Sequence, residues 1–213
     1  MLRQQMFNLA TTTTRKSVIK EVYNFNPIKD LLRQDDHNTL FVFDVDDVLI
    51  TPSSEDDFRH PYRMQLWEFI TNKATKNRID LLESRIFSST KQVIIEPQII
   101  QIFKELYLNK IPTVALTAMG TGKFGMIQKK EDFRVRELNR LGFSFSPLTY
   151  LQEECEAPHL ENTNIVLPHS ICNGVPLLKS GIIFTAGVDK GTVLEYMLCK
   201  YNYFPETIIF VDD

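Results

Sequence analysis

Two patterns of apolar residues alternate along the chain. Short, nearly unbroken apolar runs occur at Leu40-Phe41-Val42-Phe43, Val114-Ala115-Leu116, Ile182-Ile183-Phe184 and Ile208-Ile209-Phe210-Val211. The first run, without polar gaps, predicts a strand covered on both faces; the second and fourth also read as strands, the last of them buried, and the third as a short strand or extended loop. Between them, apolar residues recur at helical spacing. Pro97 in a first turn opens a helix over 98–108, with Ile99, Ile102, Phe103 and Leu106 on one face. A charged amphipathic helix over 129–141 carries Phe133, Leu138 and Leu141 as its apolar positions and ends at Gly142 as a C-cap. A helix over 190–200 turns Val193, Leu194, Met197 and Leu198 inward. Residues 18–32 also read as helical, with an interruption at Pro27. Alternating strands and helices predict an α/β protein with a mainly parallel sheet.

The segment 52–96 departs from this rhythm. It opens with the polar run Ser53-Ser54-Glu55-Asp56-Asp57 and continues with amphipathic helices over 62–73 and near 79–87. It is far longer than an ordinary strand-to-helix connection. It reads as a small helical insertion over the edge where Asp44 lies, which divides the chain into a core of 1–51 and 97–213 and an inserted cap of 52–96. Residues 143–186 carry Pro147, Pro158, Pro168 and Pro176, and short strands or extended loops fit best there.

The length of 213 residues suits one α/β domain with an insertion, or two small domains. The formal charge of −3 gives no electrostatic case for binding nucleic acid. No apolar run approaches a membrane span, and the polar, Thr-rich N-terminus lacks the apolar stretch of a secretory signal, so a cytoplasmic location is expected. Cys155, Cys172 and Cys199 lie far apart with no C-x-x-C, which reads as reduced thiols rather than a zinc site. His37, His60, His159 and His169 form no local ligand pair.

The candidate chemistry lies at the strand ends. The first apolar run leads straight into Asp44-Val45-Asp46, delivering two carboxylates to one edge of the sheet. Such edges are where open α/β sheets bind ligands. Carboxylates held that close repel, and a divalent cation would compensate them. Taken singly, each group has a plainer reading. Asp favours turns at strand ends, Thr117 can cap a following helix, and Lys190 can be a solvated lysine. Their order is more specific: a strand ending in Asp-x-Asp, one ending in Thr117, a lysine at a helix start, then a strand ending in Asp212-Asp213. A helix crossover returns to the same sheet, so the start of the helix at Lys190 reaches the same edge.

In this order the chain resembles the haloacid dehalogenase (HAD) superfamily of phosphohydrolases. Asp44-Val45-Asp46-Asp47-Val48 is similar to its first motif, Val114-Ala115-Leu116-Thr117 to its second, Asp189-Lys190-Gly191 to its third, and Ile208 through Asp213 to its fourth. The stretch Phe184-Thr185-Ala186-Gly187 leading to Lys190-Gly191 is similar to a set of bacterial HAD-like proteins of unknown function. The resemblance implies a Rossmann-like three-layer α/β/α sandwich with a helical cap. Because the chain stops directly after the fourth motif, it also implies a core whose C-terminal part is missing.

The implied activity is a Mg²⁺-dependent phosphatase acting on a small phosphorylated substrate through an aspartyl-phosphate. Asp44 would be the nucleophile and Asp46 the acid and base. Thr117, with the Ala118 N–H, would hold phosphate oxygens. Lys190 would offset the charge of Asp44 and of the phosphate. Mg²⁺ would be held by Asp44, the Asp46 carbonyl and Asp212, with Asp213 as ligand or neighbour. Asp46 argues against dehalogenation, which needs no acid for the leaving group. A phosphomutase keeps the same residues, and a catalytically inactive or truncated binding module is the alternative from another class. Gly120-Thr121-Gly122-Lys123 fails the phosphate-loop pattern and reads as a flexible loop, and Lys129-Lys130-Glu131-Asp132 reads as a solvated helix face.

Overall fold

The computed structural model describes residues 18–32, 38–53, 68, 72, 75–145, 155–156 and 173–212. The expected helix over 62–73 falls almost wholly outside them, as does Asp213.

The central sheet is built on β1 (Thr39–Phe43), every residue of which is buried. It pairs in parallel with β4 (Thr113–Thr117) on one side and with β8 (Thr207–Val211) on the other. Beyond β4 the sheet continues through β7 (Ile182–Phe184), also parallel, then β6 (Leu177–Lys179) and β5 (Cys155–Glu156), both antiparallel to their neighbours. The order across the sheet is β5-β6-β7-β4-β1-β8. Two short strands, β2 (Ile50–Pro52) and β3 (Gln92–Ile94), form a separate antiparallel pair. They draw together the two chain ends of the intervening segment just past the carboxyl end of β1.

Successive strand residues point to opposite faces, and the core divides accordingly. Phe41, Phe43, Ala115, Ile182 and Phe184 pack on one face. They meet α1 (Asn26–Leu32), α3 (Ile99–Leu108) and α4 (Lys130–Arg140) through Ile28, Ile99, Ile102, Phe103, Leu106 and Leu138. Leu40, Val42, Val114, Leu116 and Ile183 point the other way, onto Val193 and Met197 of α5 (Lys190–Lys200). Helices therefore lie on both faces of a mainly parallel sheet, the coarse Rossmann-like arrangement expected. Phe103 centres the larger layer, its ring 4.9 Å from Phe43, 5.1 Å from Phe143 and 5.5 Å from Phe145. α2 (Lys76–Ser89) belongs to the segment between β2 and β3 and lays Phe87 5.1 Å from Phe133 of α4. Among the described residues no helix is long and apolar enough to cross a membrane.

Several expectations change. Pro27 does not interrupt a helix over 18–32; it stands in the first turn of the short α1, where its missing N–H costs nothing. The run at Ile208–Val211 forms a strand but is not covered on both faces. β8 ends the sheet order, and Ile208 and Phe210 are 41% and 45% exposed.

The solvated face expected at Lys129–Asp132 is also corrected. Lys130, Glu131, Arg134 and Glu137 are buried together with Leu138. The buried stripe of α4 keeps the helical period but carries charge, because it faces polar loops that satisfy it. Lys130 Nζ donates to the Asn173 carbonyl at 2.8 Å, and Glu131 accepts from the Gly122 N–H at 2.8 Å. The loop at Gly120–Lys123, expected to be flexible, is held on both sides: the Thr121 hydroxyl donates to the Val175 carbonyl at 2.8 Å and the Thr121 N–H to the Asn173 carbonyl at 3.0 Å.

Candidate active site

Parallel pairing decides which residues meet. Phe43 is in register with Val211 on one side and Ala115 on the other. The next residues past β1 and β8 are Asp44 and Asp212, and β4 ends two residues later at Thr117. The Asp44 N–H donates to the Val211 carbonyl at 2.9 Å, which fixes the strand ends side by side.

Lys190 reaches this edge from the other end of its crossover. The Asp189 carboxylate accepts from the Thr192 N–H at 2.8 Å, so the helix begins at Lys190 itself. From there Nζ lies 3.1 Å from Asp44 Oδ1 and 3.0 Å from Asp212 Oδ1. One ammonium thus bridges two carboxylates, and it also stands 5.6 Å from the centre of the Phe210 ring.

The electrostatics follow burial. Asp44 is only 7% exposed. Burial pushes its carboxyl up to about 6, against the lowering effects of the Lys190 charge and a hydrogen bond from the Val45 backbone. Burial alone would lower Lys190, but its hydrogen bond to Asp212 and the charge of Asp44 outweigh it, so the ammonium is held above the ordinary lysine value.

Asp46 points elsewhere. Its side chain is half exposed, yet both oxygens are engaged. Oδ1 lies 2.8 Å from Arg134 Nη2, and Oδ2 accepts from the Thr117 hydroxyl at 3.4 Å. Thr117 is buried, and its oxygen also accepts from the Met119 N–H at 3.1 Å. Beside it, Asp47 takes a left-handed backbone, φ 66°, and accepts from the Thr51 hydroxyl at 3.1 Å, which turns the chain from β1 toward β2.

The structure therefore gathers Asp44, Lys190 and Asp212 in one contact group and Asp46 and Thr117 in an adjoining one. Ala118 follows Thr117 at the same edge, its carbonyl accepting from the Gly187 N–H at 3.2 Å. Asp213 lies outside the described residues. Arg134 escaped the sequence reading. Its only sequence signal is the charged stripe of Lys130, Arg134 and Glu137 at helical spacing, which resembles a solvated face.

The donors suit a hard divalent cation. Asp44 and Asp212 offer carboxylate oxygens side by side, joined through Lys190 Nζ, and carboxylate oxygen is the donor such ions take. Among the described residues no group of three or more His, Cys, Asp or Glu forms a metal cluster.

A family model described as "Protein of unknown function (DUF2608)" matches residues 21–213. No curated protein and no solved structure matches the chain. The expected membership in the haloacid dehalogenase superfamily, and in its bacterial subset, is corrected accordingly: the family found is DUF2608, with no haloacid dehalogenase model or relative beside it. The four motifs behind that expectation are short. Acids at strand ends and a lysine at a helix start are features that the geometry of any parallel sheet can bring together, whereas the family match spans nearly the whole chain.

Proposed function

The chain belongs to the DUF2608 family, whose description names no activity, and from the site alone we propose that it is a Mg²⁺-dependent phosphohydrolase that cleaves small phosphate monoesters through an aspartyl-phosphate. The observation that carries this reading is the bridge from Lys190 Nζ to Asp44 at 3.1 Å and to Asp212 at 3.0 Å, at the carboxyl edge of a parallel sheet.

A buried carboxylate in contact with an ammonium is suited to attack an anionic centre, since the cation offsets the repulsion between nucleophile and phosphate. An Asp44 oxygen forms a bond to phosphorus while the bond to the ester oxygen breaks, and Asp46 gives a proton to the departing alcohol. Asp46 then takes a proton from water. The water oxygen bonds to phosphorus, the bond to Asp44 breaks, and inorganic phosphate leaves. Thr117 and the Ala118 N–H receive phosphate oxygens, Thr117 exchanging its contact with Asp46 for one to the ligand. Asp44, the Asp46 carbonyl and Asp212 would hold Mg²⁺, which when bound neutralises charge on the transferring phosphoryl group. The segment that carries α2, tied at its stem by Ile50–Pro52 and Gln92–Ile94, would serve as a cap that limits the access of bulk water.

The test is hydrolysis of 4-nitrophenyl phosphate by the wild type and Asp44→Asn, with and without Mg²⁺. Turnover is expected only in the wild type with metal. Turnover that survives Asp44→Asn would overturn the mechanism.

A further inference from the structure

Four contacts around Asp46 close into a ring. Asp46 Oδ1 meets Arg134 Nη2 at 2.8 Å, and Arg134 Nε donates to Met119 Sδ at 3.5 Å. The Met119 N–H donates to Thr117 Oγ1 at 3.1 Å, and Thr117 Oγ1 donates to Asp46 Oδ2 at 3.4 Å. Arg134 is the rigid member. Its side chain is 2% exposed, against 52% for Asp46. A second anion, Glu137 Oε2, holds its Nη1 at 2.8 Å, and the ring of Phe87 lies 5.4 Å from its guanidinium carbon. A half-exposed aspartate alone would sample several rotamers. A guanidinium locked by packing and by a second carboxylate fixes one of them, the kind of outer support that holds a reacting group in place.

We propose that Arg134 is a positioning residue that holds the Asp46 carboxylate in the orientation needed for proton transfer to the leaving oxygen. The inference rests on the reading of Asp46 as the acid and base of a phosphohydrolase. Arg134 acts only through Asp46, whose carboxylate it holds. It acts from α4, and the Phe87 ring of α2 lies against its guanidinium.

A merely structural arginine would, on removal, slow all substrates alike. A residue that orients the proton donor should matter most where the leaving group needs a proton. The experiment compares phenyl phosphate, a poor leaving group, with 4-nitrophenyl phosphate, a good one, in the presence of Mg²⁺. The proteins are the wild type, Arg134→Gln, Arg134→Lys, Asp46→Asn and the Asp46→Asn/Arg134→Gln double variant. Misorienting a reacting group costs on the order of 100-fold. Arg134→Gln is therefore expected to lower kcat for phenyl phosphate by roughly that factor and to spare most of kcat for 4-nitrophenyl phosphate. Arg134→Lys, which keeps the charge but not the two-pronged geometry, should restore it only in part. In the Asp46→Asn background, Arg134→Gln should add no further discrimination.

Equal losses on both substrates, or full additivity with Asp46→Asn, overturn the inference while leaving the phosphohydrolase reading intact. A wild type without Asp44-dependent turnover overturns both. If losing the buried cation unfolds the chain, the paired change Arg134→Met with Glu137→Met removes both buried charges at once, and the same discrimination must appear in that protein.

Discussion

The Asp189 carboxylate accepts two hydrogen bonds from Thr192, one from its N–H at 2.8 Å and one from its hydroxyl at 2.9 Å. The first places the start of α5 at Lys190, the residue that bridges Asp44 and Asp212. A cap of this kind is worth about 1 kcal/mol. Asp189→Ala should cost about that much in a urea titration at pH 7, and Asp189→Asn, which keeps an accepting oxygen, should cost much less.

The same cap has a pH signature. The hydrogen bonds from Thr192 hold Asp189 below its ordinary value of 3.8. Its contribution is therefore fully present above the unfolded value and is lost as pH falls through the folded one. The stability gap between wild type and Asp189→Ala should be constant from neutral pH down to the ordinary Asp range, then close in stronger acid. A gap that stays constant throughout would place the origin of the cap's stability outside the carboxylate.

Metal binding can be read without any substrate. If Asp44 and Asp212 hold Mg²⁺, adding the ion raises the melting temperature, because ligands that bind only the folded state stabilise it by mass action. At a hundredfold excess over Kd the gain is about 2.7 kcal/mol. Asp44→Asn and Asp212→Asn should each abolish most of the shift as seen by scanning calorimetry. An undiminished shift in both variants would locate the ion elsewhere.

Gly125 ties α2 to the loop that follows β4. Its backbone is left-handed, φ 51°, and a Cβ there would collide with Ser84 Oγ and the Asp80 carbonyl. Ser84 Oγ also accepts from the Met126 N–H at 2.9 Å. Because a backbone carbonyl cannot swing aside as a side chain can, Gly125→Ala must push α2 off the loop. It is expected to cost roughly 1–3 kcal/mol by overpacking and to loosen Phe87 behind Arg134. A Tm within a degree of wild type would show that α2 is not seated there.

Apolar pattern made the core legible in advance. The gap-free run Leu40–Phe43 became the fully buried β1, and Ile99, Ile102, Phe103 and Leu106 all face the sheet. Gly142 adopts φ 93° past the end of α4, as a C-cap should. Hydrophobic period says nothing, however, about a helix that buries charge. Lys130, Arg134 and Glu137 keep the spacing of a core face, but each is satisfied by a residue distant in sequence or by its own helix neighbour, so Lys129–Asp132 read as a solvated face of an amphipathic helix and Arg134 passed unnoticed. β2 and β3, three residues each, are too short to show a period. At the site, Asp44, Lys190 and Asp212 were legible because strand ends and crossover starts share an edge. The partner of Asp46 was not, because it comes from the middle of a helix.

Glu137 sets two effects against each other. Its carboxylate is buried, which raises its pKa above the ordinary 4.5, and the neighbouring Arg134 charge offsets this only in part. An acid whose folded value is raised keeps its proton in the folded state where the unfolded chain has lost it. Stability is then greatest below the unfolded value and falls as pH rises through the folded one. Glu137→Gln, similar in shape and permanently neutral, should match the wild type in mild acid and exceed it at neutral pH in urea titrations. The opposite result, a variant weaker at neutral pH, would mean that the bond to Arg134 at 2.8 Å outweighs the cost of burial. In that case the pair would stabilise the fold as well as anchoring the arginine that reaches Asp46.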